Sequence, residues 1–297
     1  MTNINLGNVG ELSKPATVLI EKVANAVGVL YEPRRIKERA KAEAEAQEIL
    51  ALSDTKVDEI KRRAVQRFVY EELRKQNNME SIMEKAIPAL NEEAKPGDVE
   101  DDWIANFFDK CRLISDEQMQ ALWAKILAGE ANGPGGFSKK TVNIVASLDK
   151  SDAEAFTTLC GFAIKILQGL PFPLIYDIRH SIYKENGISF FGLSNLESIG
   201  LIRYDNAGFA KTTVLLMPSD TTGRTTEEAM HQVPTRYYGQ SIVLELPQDA
   251  DPALRIGTVM LTEPGEQLAS VCDAHAVAGF VDYLKGKWKE FGYKIEP

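Results

Sequence analysis

Between Asp101 and Leu148 the chain reads DDWIANFFDKCRLISDEQMQALWAKILAGEANGPGGFSKKTVNIVASL, and no other stretch constrains the fold as tightly. Trp103, Ile104, Phe107 and Phe108 recur at helical spacing and form an aromatic stripe. Ser115 reads as an N-cap, with Gln118 as its capping-box partner. Met119, Leu122, Trp123, Ile126 and Leu127 then give the next helix one apolar face. Gly129 marks the end of that helix, and the turn GPGG at 133–136 follows. Ser138 caps a further short helix carrying Val142, Ile144, Val145 and Leu148. Two apolar stripes so close in sequence demand a helical core centred on Trp103 and Trp123. The stretch carries no catalytic signature.

Upstream, KPATVLIEKVANAVGVLYEP leaves only Glu21, Lys22 and Asn25 as a narrow polar edge. A helix so apolar must bury most of its surface, in a core or an oligomer interface. Leu19, Ile20, Val23, Val27 and Leu30 are the interface candidates. The basic flank Arg34, Arg35, Lys37, Arg39 and Lys41 gives a second reading, in which this helix lies on an anionic membrane surface.

From residue 34 to about residue 88 the chain lacks internal Gly or Pro, and it is rich in the strong helix formers Ala, Glu and Lys. Ser53 and Asp54 mark an interruption. Between Arg34 and Lys75 stand 12 basic and 9 acidic residues, a local net of +3 in a chain of net −9. Such asymmetry ordinarily marks a solvated face, and too few aromatics accompany it to build a stacking platform for single-stranded nucleic acid. The overall negative charge argues against a general nucleic-acid binder.

Cys111, Cys160 and Cys272 lie far apart without a CxxC pair, so they read as small buried hydrophobes in a reducing compartment. The N-terminal residues lack a basic signal-peptide region, and no apolar run reaches the roughly 20 residues a bilayer span needs. A cytoplasmic protein is expected, peripheral to the inner membrane if the lipid reading holds. The carboxylates Glu92, Glu93, Asp98, Glu100, Asp101 and Asp102 match no EF-hand spacing, and Asp101 or Asp102 reads instead as the cap of the Trp103 helix.

Composition changes after Gln168, where Pro171 and Pro173 punctuate and strand-like runs begin. DKSDAEAFTTLCGFAIKIL reads as a helix capped by Ser151 or Asp152. SFFGLSNLESIG is a short helix ending at Gly200. Two strands, 201–204 and 211–217, follow with a polar turn at Asp205-Asn206, then strands SIVLELP and GTVMLT, and a closing helix from Glu263 to Phe291. This order is similar to a winged-helix module, which implies that Leu196, Ile199, Leu201 and Ile202 are packing positions. Reading a major groove needs Arg, Lys, Asn or Gln on the recognition helix, and only Asn195 and Ser194 are offered, beside Glu197.

AKAEAEAQEI (40–49), EDDWIANFF (100–108), ISDEQMQALWAKILAGE (114–130), PGGFS (134–138) and LESIGLI (196–202) resemble a bacterial and prophage-borne family catalogued only as a domain of unknown function. WAKILAGE and the winged-helix-like segment are also similar to the alpha-type abortive-infection proteins of phage defence.

His180, His231 and His275 sit on separate segments, and no HExxH, P-loop or GxSxG motif occurs. Arg179 and His180 are adjacent and would face apart on a helix, unlike a paired nuclease site. His275 reads as a helical, buried imidazole. The PGG turn could hold an anion on backbone N–H groups, though a helix connection is the plainer role. The expected architecture is mainly α, with an N-terminal arm and apolar helix (1–33), a helical domain (34–150) and a C-terminal α+β winged-helix-like domain (151–297). No catalytic residue, cofactor or metal is expected. The expected function is that of a self-associating interaction or effector protein, a homo-oligomer with a protein partner or membrane surface. A DNA-binding regulator and a nuclease or hydrolase are the alternatives.

Overall fold

In the computed structural model, which describes residues 13–28, 59–166, 169–212, 231–247 and 253–296, helices predominate. The chain divides into two compact units, Met1–Val142 and Asn143–Pro297, and all described strands belong to the second.

In the first unit, α1 (Lys14–Val27) starts at Ser13, whose Oγ accepts the Ala16 N–H at 3.3 Å, with Pro15 in the first turn. It buries Ala16, Leu19 and Val23 against α3 (Asp101–Cys111). Its burial is therefore one-sided and less than its composition suggested: Val18 is 40% exposed, and Glu21 and Asn25 face water. Glu100, without a side-chain bond, holds the cap position of α3. Asp101 and Asp102 follow it in the first turn, favoured there by the helix dipole, and Lys22 pairs with Asp101 at 2.8 Å.

The long helix α2 (Glu59–Ala86) packs on α4 (Glu117–Asn132) through Asn78, Ile82, Met83 and Ala86. The cap of α4 is Asp116, not Ser115: Asp116 Oδ1 accepts the N–H groups of Gln118 and Met119 at 3.0 Å each. Ser115 is spent elsewhere, accepting the Asn78 amide at 3.1 Å. Trp103 stacks on Phe107 at 5.0 Å, and Phe107 meets the edge of Trp123 at 5.1 Å. This is the expected core. Ser138 does cap α5 (Lys139–Val145), accepting the Thr141 N–H at 3.2 Å.

In the second unit, Asp149 rather than Ser151 caps α6 (Lys150–Cys160), and Asp152 completes a capping box from its third position. The helix stops at Cys160. The alternating Ala163–Ile166 forms β1, in an antiparallel sheet of order β2-β1-β4-β5-β7, with β2 Phe172–Pro173, β4 Gln232–Tyr237, β5 Gln240–Glu245 and β7 Lys294–Glu296. After α7 (Ser181–Lys184), α8 (Phe190–Ile199) is capped by Ser189 and closed by Gly200 at φ 94°. Leu196, Leu201 and Ile202 are buried and Ile199 is half-buried.

The expected turn at Asp205-Asn206 is instead a bulge inside one strand, β3 (Ile202–Thr212), whose partner is β6 (Ala253–Leu261). Asp205 Oδ1 accepts the Ala207 N–H at 2.8 Å and stabilises the bend. Residues 213–217 of the expected second strand lie outside the described residues. The closing helix is two, α9 (Glu263–Ala269) and α10 (Phe280–Glu290). Thr262 caps α9, Pro264 sits in its first turn, and Gly279 at φ 75° starts α10. His275 lies in the intervening loop and is exposed, not helical and buried.

Candidate functional site

Of the interface candidates, Leu19 and Val23 are wholly buried on α3, and Ile20 and Val27 are half-buried. Leu30, Arg34, Arg35, Lys37 and Arg39 lie outside the described residues. Among the described residues no helix is long and apolar enough to cross a membrane, and no three His, Cys, Asp or Glu side chains gather as metal ligands. His180 is exposed; its Nδ1 caps α7 by accepting the Ile182 N–H at 3.2 Å, while Arg179 pairs with Asp177 at 3.2 Å.

The GPGG turn does bind an anion, and the protein supplies it. Glu130 Oε1 accepts the Gly135 N–H at 2.7 Å and Oε2 accepts the Phe137 N–H at 2.8 Å. With its own carboxylate on those donors, the turn works as a connector.

The sequence reading missed a different surface. Ile60, Ala64, Val65 and Phe68 precede Asn78, Ile82, Met83 and Ala86 by 18 residues each. Eighteen residues are five turns of α-helix, so the two sets lie in register on one face of α2. The C-terminal set is buried against α4. The N-terminal set is exposed: Ile60 is 65% exposed, Val65 43% and Phe68 64%. Arg67 pairs with Glu71 at 3.6 Å, and Lys75 with Glu72 at 2.6 Å, in the charged zone between them. The signal in sequence was this 18-residue repeat, apolar at every position but Asn78.

The second unit carries a cavity of about 340 Å³, lined by Tyr237, Tyr238, Gln240, Val277, Asp282 and Lys285 among others. Two elements shape it. The β4–β5 hairpin turns on Tyr238 (φ 43°) and Gly239 (φ 91°), so a tyrosine occupies a left-handed position that costs a non-glycine residue roughly 1 kcal/mol. Its hydroxyl reaches Cys160 O at 3.2 Å. Beside it, Tyr237 Oη donates to Gly161 O at 2.8 Å and accepts the Val277 N–H at 2.6 Å, tying the hairpin to the end of α6 and to the loop before α10. Burial raises the pKa of both phenols, so they stay neutral donors at ordinary pH. Gln240, Asp282 and Lys285 line the cavity beside this neutral aromatic wall. The lining lacks the nucleophile–base pair of an acyl- or phosphoryl-transfer site.

Comparison with curated proteins finds no match, and neither does comparison with solved structures. Residues 62–285, which span α2 from its first turns through the core, the cavity and most of α10, match one family, and the chain belongs to it: the protein of unknown function family DUF2806.

Proposed function

We propose that this protein is a non-enzymatic interaction protein that acts by self-association, and that the exposed end of α2 is its contact surface. The carrying observation is the register of Ile60, Ala64, Val65 and Phe68 with the buried Asn78, Ile82, Met83 and Ala86. A helix face that carries apolar side chains toward both ends, and buries only one of them, has a second partner still to meet. The occupant is a second copy, docked antiparallel.

Light scattering in line with gel filtration tests it. The wild type is expected well above 32.9 kDa, and Phe68→Glu at or near that mass. A wild-type monomer at every accessible concentration overturns the proposal. An effector role in phage defence is the setting we favour, on the resemblance of WAKILAGE and the segment after α8 to abortive-infection proteins. The membrane-surface variant draws less support, because Leu19 and Val23 are committed to α3.

We read the second unit as winged-helix-like on the order α6, α7, α8 and then the β3–β6 ribbon. For DNA recognition its chemistry is thin: Asn195, the one base-reading amide of α8, donates to Asp152 at 2.6 Å. The exposed end of α8 presents Phe190 and Phe191, which suit a protein partner better than a phosphate-lined groove.

A further inference from the structure

We propose that the cavity beside the β4–β5 hairpin is a binding site for a free α-amino acid with an apolar side chain. The observation behind it is a charge pair that stays open. Asp282 and Lys285 stand three residues apart on α10, acid first, and both line the cavity. The same spacing in the same order closes elsewhere in the molecule: Glu72 meets Lys75 at 2.6 Å, and Asp109 meets Arg112 at 2.8 Å. Further along α10 itself, Lys287 reaches Glu290 at 2.7 Å. Among the described residues, the Asp282 and Lys285 side chains form no ion pair or hydrogen bond, with each other or with a third group. Closing an exposed helical pair gains little, so leaving this one open costs the fold little. A ligand that satisfies both charges at once can then take the place between them.

Every other described residue that lines the cavity is uncharged, the two phenols included. One acid and one base therefore share the same small space, and a zwitterion matches them. Its ammonium donates to the Asp282 carboxylate, and its carboxylate accepts from the Lys285 ammonium. A ligand with a single charge would answer one of the two and leave the other unpaired.

The uncharged lining suits the rest of such a molecule. Val277, Val281 and the ring of Tyr238, which is 47% exposed, offer apolar surface to its side chain. Tyr238 is fixed in place there. Its hydroxyl donates to Cys160 O at 3.2 Å, and its backbone holds a left-handed φ of 43°, the kind of strain that collects at ligand clamps. Gln240, the first residue of β5, adds an amide that can donate to the carboxylate or accept from the ammonium. The volume of about 340 Å³ is at the small end for ligand sites, which run from roughly 300 Å³ upward, and it fits a compact molecule.

Isothermal titration calorimetry on the full-length wild-type protein tests this, with L-phenylalanine and L-leucine as probes. Each is compared with the analogue that lacks its carboxylate (phenethylamine, isoamylamine) and the one that lacks its amine (hydrocinnamate, isocaproate). At least one amino acid is expected to bind once per chain with a Kd of about 1 mM or tighter. Its two single-charge analogues should bind at least about tenfold more weakly. Asp282→Asn and Lys285→Met, at exposed and half-buried positions, should each weaken the amino acid about tenfold and leave the circular dichroism unchanged. Lys287→Met, which breaks the closed pair on the same helix, should leave the affinity as in wild type. Absence of saturable binding by both amino acids, at concentrations about tenfold above that Kd, overturns the site. Equal binding of an amino acid and either of its single-charge analogues to the wild type overturns the paired-charge recognition, a readout that depends on no variant folding. Unchanged affinity in both Asp282→Asn and Lys285→Met overturns the assignment to this cavity.

Discussion

The Glu130 carboxylate and the Phe137 backbone N–H meet at 2.8 Å in an interior where Glu130 is only 3% exposed. The same Phe137 turns its carbonyl to the Trp103 indole N–H at 2.6 Å. One buried charge thereby holds the GPGG turn, and the turn holds the ring at the centre of the first unit. Replacing Glu130 by Ala removes both acceptors from Gly135 and Phe137, and is expected to cost about 3 kcal/mol, since charge-assisted bonds to buried donors exceed neutral ones. Glu130→Gln, which keeps the shape but presents an N–H₂ to a donor, should cost somewhat less. Urea unfolding followed by tryptophan fluorescence measures both. A loss below ~0.5 kcal/mol for the alanine variant would show that water replaces the carboxylate freely.

Gly257 governs the second unit in a comparable way. It sits at φ 91° in β6, opposite the bulge at Gly208, and a side chain there would run into the backbone of Ile175. That approach is used: Ile175 O accepts the Thr258 N–H at 2.7 Å and the Thr258 hydroxyl at 3.0 Å. Gly257→Ala combines a left-handed backbone with a contact that cannot relax through a side chain. A cost of about 3 kcal/mol or more is expected, seen as loss of the cooperative transition reported by Trp288. Gly286→Ala, on an open face of α10, should be neutral or stabilising and serves as the control.

Legibility in the sequence tracked how local each decision was. The cap at Ser138 and the stop at Gly200 depend on a few neighbouring residues, and both are as the sequence implied. So is the pairing of the Trp103 and Trp123 helices, whose stripes are close in the chain. The Ser115 cap misled because Asn78, 37 residues away, takes that hydroxyl. The Asp205-Asn206 turn misled because β3 pairs with a strand beginning at Ala253, which no local pattern announces. The end of α6 at Cys160 was hidden by FAIKI, a short apolar run whose periodicity fits a helix as readily as a strand. The exposed face of α2 was legible as an 18-residue repeat, but which half is covered is settled only by α4.

Alkaline pH should separate the two units. Tyr176, Tyr183, Tyr237, Tyr238, Tyr283 and Tyr293 all lie in the second unit, and burial raises the pKa of each. A raised folded-state value means that the unfolded chain gives up its phenol proton first. The stability from these groups is complete below the ordinary tyrosine value of about 10 and declines as pH climbs from there toward the folded values. The first unit has one described tyrosine, the exposed Tyr70. Raising pH above about 10 should therefore unfold the second unit first, with tyrosinate absorbance appearing as Trp288 becomes exposed and with Trp103 and Trp123 still buried. Loss of both units at one pH would remove the argument.

The two halves of α2 make the sharpest pair of substitutions, because they hold register and differ only in cover. Ile82→Ala opens a cavity beneath α4 and should cost about 2–4 kcal/mol while leaving the oligomeric mass unchanged at concentrations where the protein stays folded. Phe68→Ala, five turns less four residues upstream of Ile82 and in phase with Ala86, removes a ring that touches solvent in the single chain. It should leave intrinsic stability within about 0.5 kcal/mol and weaken self-association at least several-fold. Chemical denaturation at two protein concentrations distinguishes the effects: the Ile82→Ala midpoint falls at both, while the Phe68→Ala midpoint loses its dependence on concentration. If Phe68→Ala instead lowers the midpoint equally at both concentrations, the exposed end of α2 is covered within its own chain and the contact between copies lies elsewhere.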